Sequence, residues 1–413
     1  MVPHNKLYLW LISFALVVAA CSKSDSSDKQ AEDGTGQEPA APKAATTPTS
    51  TPPVNTQAPP GKPGKKPPGD VAPPPEHSFI TYNLGLIPAV GLERARLPLI
   101  LEAMKKTRAS VACLQEVWTD DDVKAITEGL AAYYPHAFSK ATEDTGKHPS
   151  GVCDLGNAIS TQKCGTEKCT PKGISMTECV SDAALCKAQY DGFSDACKRC
   201  LAANTQSPTR CAMGEAPRFN SQGRNGLLLL SWHEIENPTY TTIEAQIVAR
   251  GAITATIQGR TVQCTHLSAD LQVVPYPPDT TYQSWAEEHA AQIGVIDKAA
   301  KSDGCRVLLG DMNTGPTTEQ LAGELEKNFS GLANASYVQP WDEPECTFCA
   351  DNPLAGVTDD RWIDHIFFKG CQKAAAFEYR RVFDQPIQVQ SEGALVDTRL
   401  SDHYGVMVTT RDL

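Results

Sequence analysis

The period of apolar and polar positions changes repeatedly along residues 78–413. Residues 78–85 and 108–114 are short β-rich runs, and 92–106 between them has the spacing of an amphipathic helix. A second helix is predicted over 120–133, capped by the Asp run near its start. After a Cys-rich stretch come four strand candidates, 226–231, 239–247, 250–258 and 261–266. The pattern then predicts a long helix over 281–301, a strand over 305–309 and a helix over 317–327, with closing strands over 362–369 and 404–410. Neighbouring strands joined by the tight turns Arg250-Gly251 and Gln258-Gly259-Arg260, with helices between the others, argue for an α/β domain built on mixed sheets.

The first 77 residues follow no such pattern. Residues 1–20 read as a secretory signal, with Lys6 ahead of an apolar stretch too short to span a bilayer comfortably. That stretch ends in Val18-Ala19-Ala20-Cys21, which is similar to a bacterial lipoprotein cleavage box with Cys21 as the lipidated residue. Ser22 follows rather than Asp, so known sorting rules favour the outer membrane or cell surface. Residues 21–77 are rich in Pro, Ala and Thr and nearly devoid of large apolar side chains, so they are expected to be a disordered tether. The catalytic domain is therefore expected at 78–413.

Charge and cysteine content narrow the picture. Seven basic residues balance seven acidic ones up to His77, so the formal net charge of -12 falls on the domain. An acidic domain argues mildly against tight sequence-independent DNA binding, which uses a basic footprint. Fifteen cysteines would be unusual in a reducing compartment, and without Cys21 fourteen remain, compatible with seven bridges. Eight crowd into 153–211, which predicts a disulfide-stapled insertion at about 150–215. A zinc site is the alternative, raised by Cys197-x-x-Cys200 and Cys346-x-x-Cys349. Cys113 and Cys264 sit in predicted core strands, either as buried thiols or as a pair.

Short polar motifs close many of the predicted strands: Thr81-Tyr82-Asn83, Leu114-Gln115-Glu116, Thr265-His266, Gly310-Asp311-Met312-Asn313, Trp362-Ile363-Asp364-His365 and Ser401-Asp402-His403. Strand ends can converge carboxylates, amides and imidazoles on one pocket. Such a set suits metal-assisted attack on a phosphodiester, because a hard cation takes oxygen ligands while imidazoles move protons. Asp311 and Asn313 alternate with Met312 and so point to one face.

In this order the motifs resemble those of the endonuclease/exonuclease/phosphatase superfamily, which contains DNase I-like nucleases, inositol phosphatases and bacterial sphingomyelinases. The resemblance implies a four-layer α/β/β/α sandwich of two stacked mixed sheets. It implies Glu116 as the main metal ligand, Asn83 as a second ligand or phosphate contact, and Asp402 near metal or phosphate. His266 is then a donor to phosphate or the leaving-group acid, and Asp311 and Asn313 grip phosphate and the attacking water. His403 is the general-base candidate, and Asp364 suits the role of orienting it better than the adjacent Asp402 does. Arg224 and Arg250 are candidate phosphate clamps, while His365 reads as structural. Oxygen ligands favour Mg²⁺, with Mn²⁺ or Ca²⁺ as substitutes.

The motifs most resemble the sphingomyelinase and phospholipase C-like branch, which implies a phospholipid substrate such as sphingomyelin. A secreted nuclease is the alternative, and a catalytically silent binding module on the same fold is a third reading. The membrane is expected as a partner through Cys21, and no protein partner is expected. The apolar loop 273–278 after His266 either meets a lipid surface or packs on the domain.

Overall fold

The computed structural model describes residues 71–411, apart from 88–89, 141–146, 149–150, 170–175, 204–209, 214–215, 218–225, 279, 301–303, 340, 342, 372–376 and 392. Residues 1–70, where a signal, the lipidated Cys21 and most of a tether are expected, and Arg224 lie outside the described residues.

From the N-terminal side the strands are β1 (His77–Asn83), β2 (Val111–Gln115), β3 (His136–Phe138), β4 (Lys147–His148), β5 (Ala216–Pro217), β6 (Leu228–Ser231), β7 (Glu236–Ile243) and β8 (Arg250–Ile257). They continue with β9 (Arg260–His266), β10 (Arg306–Asp311), β11 (Asp364–Lys369), β12 (Phe377–Val382), β13 (Ile387–Ser391), β14 (Ala394–Thr398) and β15 (Gly405–Thr410). One sheet runs β12-β15-β1-β2-β6-β3 and the other β11-β10-β9-β8-β7. Both are mixed, with β1–β2 and β9–β10 parallel and the remaining neighbours antiparallel.

The side-chain period of two assigns each strand residue to a layer. In β1, Phe79 joins the core between the sheets with Val111, Val262, Leu309 and Ile366. Ile80 and Tyr82 point the other way, into the layer of helices α1 (Glu93–Thr107) and α2 (Asp120–Gly129). In β10, Leu309 faces the other sheet while Leu308 packs under helices α8 (Trp285–Ala299) and α9 (Glu326–Asn334). Burial on both faces explains why these strands read as continuous apolar runs. The architecture is the α/β/β/α sandwich that the resemblance implies.

Local signals set most boundaries. Thr119 caps α2 by accepting from the Asp122 backbone at 3.0 Å. Ser284 accepts from Glu287 N while the Glu287 carboxylate returns to Gln283 N, so the long helix begins at Trp285 rather than at 281. The helix expected over 317–327 is a correction. There the backbone instead pairs Gly315 with Glu324 and Ala322 N with Asp360 O, and the helix starts at Glu326. β3, β12 and the β13–β14 hairpin were not expected; they are short or half-exposed, and they lack the apolar density of the central strands.

Seven disulfides account for all fourteen domain cysteines. Four of them, Cys153–Cys197, Cys164–Cys186, Cys169–Cys179 and Cys200–Cys211, lie within the insertion and staple its helices α3 (Leu155–Lys168), α4 (Met176–Ser181), α5 (Lys187–Asp191), α6 (Asp195–Ala203) and α7 (Arg210–Met213). Bridging rather than zinc thus accounts for both Cys-x-x-Cys spacings. No helix among the described residues is long and apolar enough to cross a membrane.

Cys113 on β2 is bonded to Cys264 on β9, tying the two sheets through the central core across a sequence separation of 151. Changing both to Ala should lower stability by about 2–5 kcal/mol, because the unfolded chain regains a long open loop. The denaturation midpoint under non-reducing conditions reads this directly, and an unmoved midpoint would show that the bridge contributes nothing.

Candidate active site

The strand registers bring most of the expected residues to one edge of the sandwich. His266, Asp311 and Asp364 lie side by side, since Asp311 is paired with His266 across β9–β10 and with Asp364 across β10–β11. Asn83 ends β1 opposite Gln115, and Glu116 is the next residue. The 401–404 turn closes the same edge just before β15. Its Ser401 Oγ donates to the Asn83 carbonyl at 2.7 Å.

Asp311 Oδ2 is the hub. Asn83 Nδ2 donates to it at 3.0 Å, His266 Nε2 lies at 3.3 Å and His403 Nε2 at 3.8 Å. Asp311 Oδ1 accepts from the Asn313 backbone at 3.0 Å. His403 Nδ1 meets Asp364 Oδ2 at 2.8 Å, so the carboxylate and imidazole expected to pair are in contact. Asp402 turns to Ser401 Oγ instead, at 3.0 Å. Asn313 donates its side-chain amide to the Leu267 carbonyl at 2.9 Å, which fixes its turn.

The backbone here is unusual. Glu116 has φ 58° and Asn313 φ 47°, both in the left-handed region that side chains disfavour and functional sites tolerate. Gly85 has φ +51°, and a Cβ there would lie 2.3 Å from Asp402 Oδ1. Only glycine lets the Asp402 carboxylate rest over this loop.

Several buried polar atoms have no partner. Glu116 Oε2, Asp364 Oδ1, and Nε and Nη1 of Arg250 are enclosed without a hydrogen bond. A folded chain seldom leaves buried polar groups unsatisfied, and those left so call for an explanation such as an ion or a ligand. Asn83, which donates to Asp311, also lies near enough to the Glu116 carboxylate to lower its pKa against the effect of burial. Asp311, Asp364 and His403 offer ligand atoms within 4.8 Å of one another.

Electrostatics divide the ionisable groups. Burial, then Asp364, pushes the Asp311 carboxyl up to about 7. Burial, then the Asp402 charge, raises Glu116 above the ordinary carboxylate range. His266 falls well below the usual imidazole range through burial, Arg250 and His403, so it is neutral. Burial alone would lower His403, but Asp364, Asp311 and Asp402 outweigh it and hold this imidazole well above its usual range.

His365 is wholly buried, and its Nε2 meets the Thr314 carbonyl at 2.7 Å. His289 does the same for Met312 at 2.7 Å, so two buried imidazoles brace the turn that carries Asn313. The apolar loop 273–278 packs on the domain. Val274 lies in a cluster with Ala203, Ile247 and Trp285, and the insertion's Tyr190 donates to the Val273 carbonyl at 2.9 Å.

Arg96 was missed by sequence reasoning, which placed it only on a helix. It is fully buried, and its Nη1 donates to the carbonyls of Leu84 at 3.0 Å and Leu400 at 2.6 Å. It thereby joins the loop after Asn83 to the turn before Asp402. Its one sequence signal is a charge on the otherwise apolar face of α1.

The model of the Endonuclease/Exonuclease/phosphatase family matches residues 80–403. No curated protein matches the chain. Among solved structures, sphingomyelinase C from Streptomyces griseocarneus is 15% identical with a TM-score of 0.48, covering 82% of this chain and 100% of that one. A beta toxin structure from Staphylococcus aureus is 12% identical with a TM-score of 0.49, covering 81% and 100%. A mannosyl-6-phosphatase from Bacteroides thetaiotaomicron is 12% identical with a TM-score of 0.43, covering 81% and 100%.

Proposed function

The chain belongs to the endonuclease/exonuclease/phosphatase family, and on that premise we propose that it is a Mg²⁺-dependent phosphodiesterase that cleaves by in-line attack of an activated water. The observation that carries this reading is the buried array of Asp364, His403, Asp311 and His266, set beside carboxylate and guanidinium atoms that lack partners.

Glu116, Asn83 and Asp402 are the residues that would hold the cation. Their donor set is all oxygen, and the unsatisfied Glu116 Oε2 is what such an ion would complete. When bound, the ion offsets charge on the phosphate and acts as a Lewis acid. Asp311 takes the proton of the attacking water, since a base is most effective with a pKa near the working pH. His403, kept as imidazolium by Asp364, donates to a phosphate oxygen. That division differs from the expectation that His403 is the base, because three carboxylates surround it. Neutral His266, with Nε2 3.3 Å from Asp311 Oδ2, lies against that carboxylate and limits its orientation, and Asn313 fixes the turn beside it.

Arg250 clamps the phosphate with its unpartnered Nε and Nη1. Arg250→Gln should raise KM roughly 10–100-fold at little cost in kcat, from the loss of about 1.5–3 kcal/mol of charge-assisted hydrogen bonding. Unchanged KM would mean that Arg250 only offsets the charges of Asp311 and Glu116.

The substrate proposed is a zwitterionic phospholipid such as sphingomyelin, reached by an exported enzyme anchored through Cys21. The domain's net charge of -12 favours this over a nucleic acid, whose phosphates it would repel. A panel of sphingomyelin, phosphatidylcholine, single- and double-stranded DNA and inositol phosphates, each with Mg²⁺ and with chelator, tests the proposal. Chelator-sensitive turnover of DNA alone, inhibited steeply by salt, would replace the lipid reading with a nuclease.

A further inference from the structure

Residues 345–361 contribute nothing to the chemistry above, yet they pack directly on the Asp364–His403 pair. A disulfide between Cys346 and Cys349 closes a small loop holding only Thr347 and Phe348. Thr347 is wholly buried, and its Oγ1 accepts from the backbone N–H groups of Ile363 and Asp364, each at 3.1 Å. The Thr347 carbonyl accepts from Tyr404 N, next to His403, at 2.7 Å. The Phe348 ring lies against the His403 imidazole with centroids 4.8 Å apart. Two consecutive residues therefore touch both members of the pair.

The loop is itself held from outside. Both Thr347 N and Phe348 N donate to the Arg361 carbonyl, at 2.8 and 3.0 Å. Arg381 Nη1 donates to the Cys346 carbonyl at 3.2 Å, and the Arg381 guanidinium lies 4.8 Å over the Tyr404 ring.

We infer that the Cys346–Cys349 loop is a positioning device in which Thr347 and Phe348 set the separation and orientation of Asp364 and His403. Thr347 grips the backbone on both sides, at the start of β11 and at the entrance to β15. The disulfide limits the freedom of the two residues that make these contacts. A shift of about 1 Å in an aligned catalytic group is enough to cost roughly 10²-fold in rate. The kinetic consequence rests on the hydrolytic reading above; the structural one does not.

The test compares wild type, Thr347→Val, Thr347→Ser and a Cys346→Ala/Cys349→Ala double variant. Each is assayed on bis(p-nitrophenyl) phosphate at saturating Mg²⁺, with His403→Ala alongside. Valine keeps the shape of threonine and removes the acceptor, whereas serine keeps the acceptor. Thr347→Val and the double variant should lose roughly 10–100-fold in kcat, the usual effect of disturbing an outer-shell partner. KM should change less than kcat, because Arg250 and the cation ligands are untouched. Thr347→Ser should recover most of the rate. In parallel, the NMR resonance of the proton between His403 Nδ1 and Asp364 should shift or broaden in Thr347→Val and stay in place in Thr347→Ser. Wild-type kcat and an unmoved resonance in Thr347→Val, or equal losses in the Val and Ser variants, would overturn the inference. If Thr347→Val does not fold, the same two readouts on the double variant decide it. A His403→Ala enzyme with the wild-type rate would remove the hydrolytic reading and leave the resonance to judge the positioning.

Discussion

Asp311→Asn should lower kcat on a phosphodiester by roughly 10²–10⁴-fold, the range of a general-base contribution. The asparagine keeps the shape and can still meet Asn83 and His266, so folding and KM should change far less than kcat. The pH profile separates this assignment from its rival. A base works only when ionised, and burial with the Asp364 charge raises Asp311 to about 7. Activity in the wild type should therefore rise with pH along a limb well above the ordinary carboxylate range, toward neutrality. Asp364→Asn removes the charge that raises Asp311 most after burial, so that limb should move to lower pH. His403→Ala should also be slow, yet it should keep an acidic limb, because the base is still present. A limb that vanishes in His403→Ala and persists in Asp311→Asn would return the base role to the imidazole.

The choice between Asp311 and His403 as base turns on something a sequence does not carry. The pairing of His403 with Asp364 was legible, because neighbouring side chains on an extended segment diverge and Asp402 could not serve. The convergence of His266, Asp311 and Asp364 was legible too, since each sits at the end of an apolar run. The upward push on the His403 imidazole was not. It depends on carboxylates delivered by β10, β11 and the 401–404 turn, and no local pattern gives their distances.

The fold divides in the same way. Central strands buried on both faces announce themselves as apolar runs, whereas β12 alternates burial and β3 has only 3 residues, and both were missed. Residues 317–327 have a helical composition but spend their backbone hydrogen bonds on Gly315 and Asp360, a tertiary choice that overrides propensity. The charge of Arg96 on an apolar helix face is visible in sequence, but the carbonyls it meets are set by the fold. Cysteine pairing followed the same rule: an even count was visible, but the partners were set by the folded geometry.

Glu116→Gln is expected to separate metal binding from folding. Burial and the nearby Asp402 raise the Glu116 pKa, and its Oε2 has no protein partner. A group raised on folding contributes its full stability below the unfolded pKa and loses it as pH rises through the folded value. Without a divalent ion, the wild type should therefore lose stability with rising pH over that window, and Glu116→Gln should not. Near neutral pH in chelator, the variant should melt at or above the wild-type temperature. Mg²⁺ reverses the order. At a hundredfold excess over Kd, ligation stabilises the wild type by about 2.7 kcal/mol, while the neutral amide gains far less. Hydrolysis at the same Mg²⁺ concentration should fall by at least roughly 10²-fold in the variant, since a Lewis acid supplies several kcal/mol of transition-state stabilisation. Asp402→Asn should show the same two effects in weaker form, because Asp402 raises Glu116 through space and shares its site. A Glu116→Gln protein with near wild-type turnover, unchanged metal dependence and an undiminished Mg²⁺ shift in melting would assign the cation to other ligands, with Asp311, Asp364 and His403 as the next group to change.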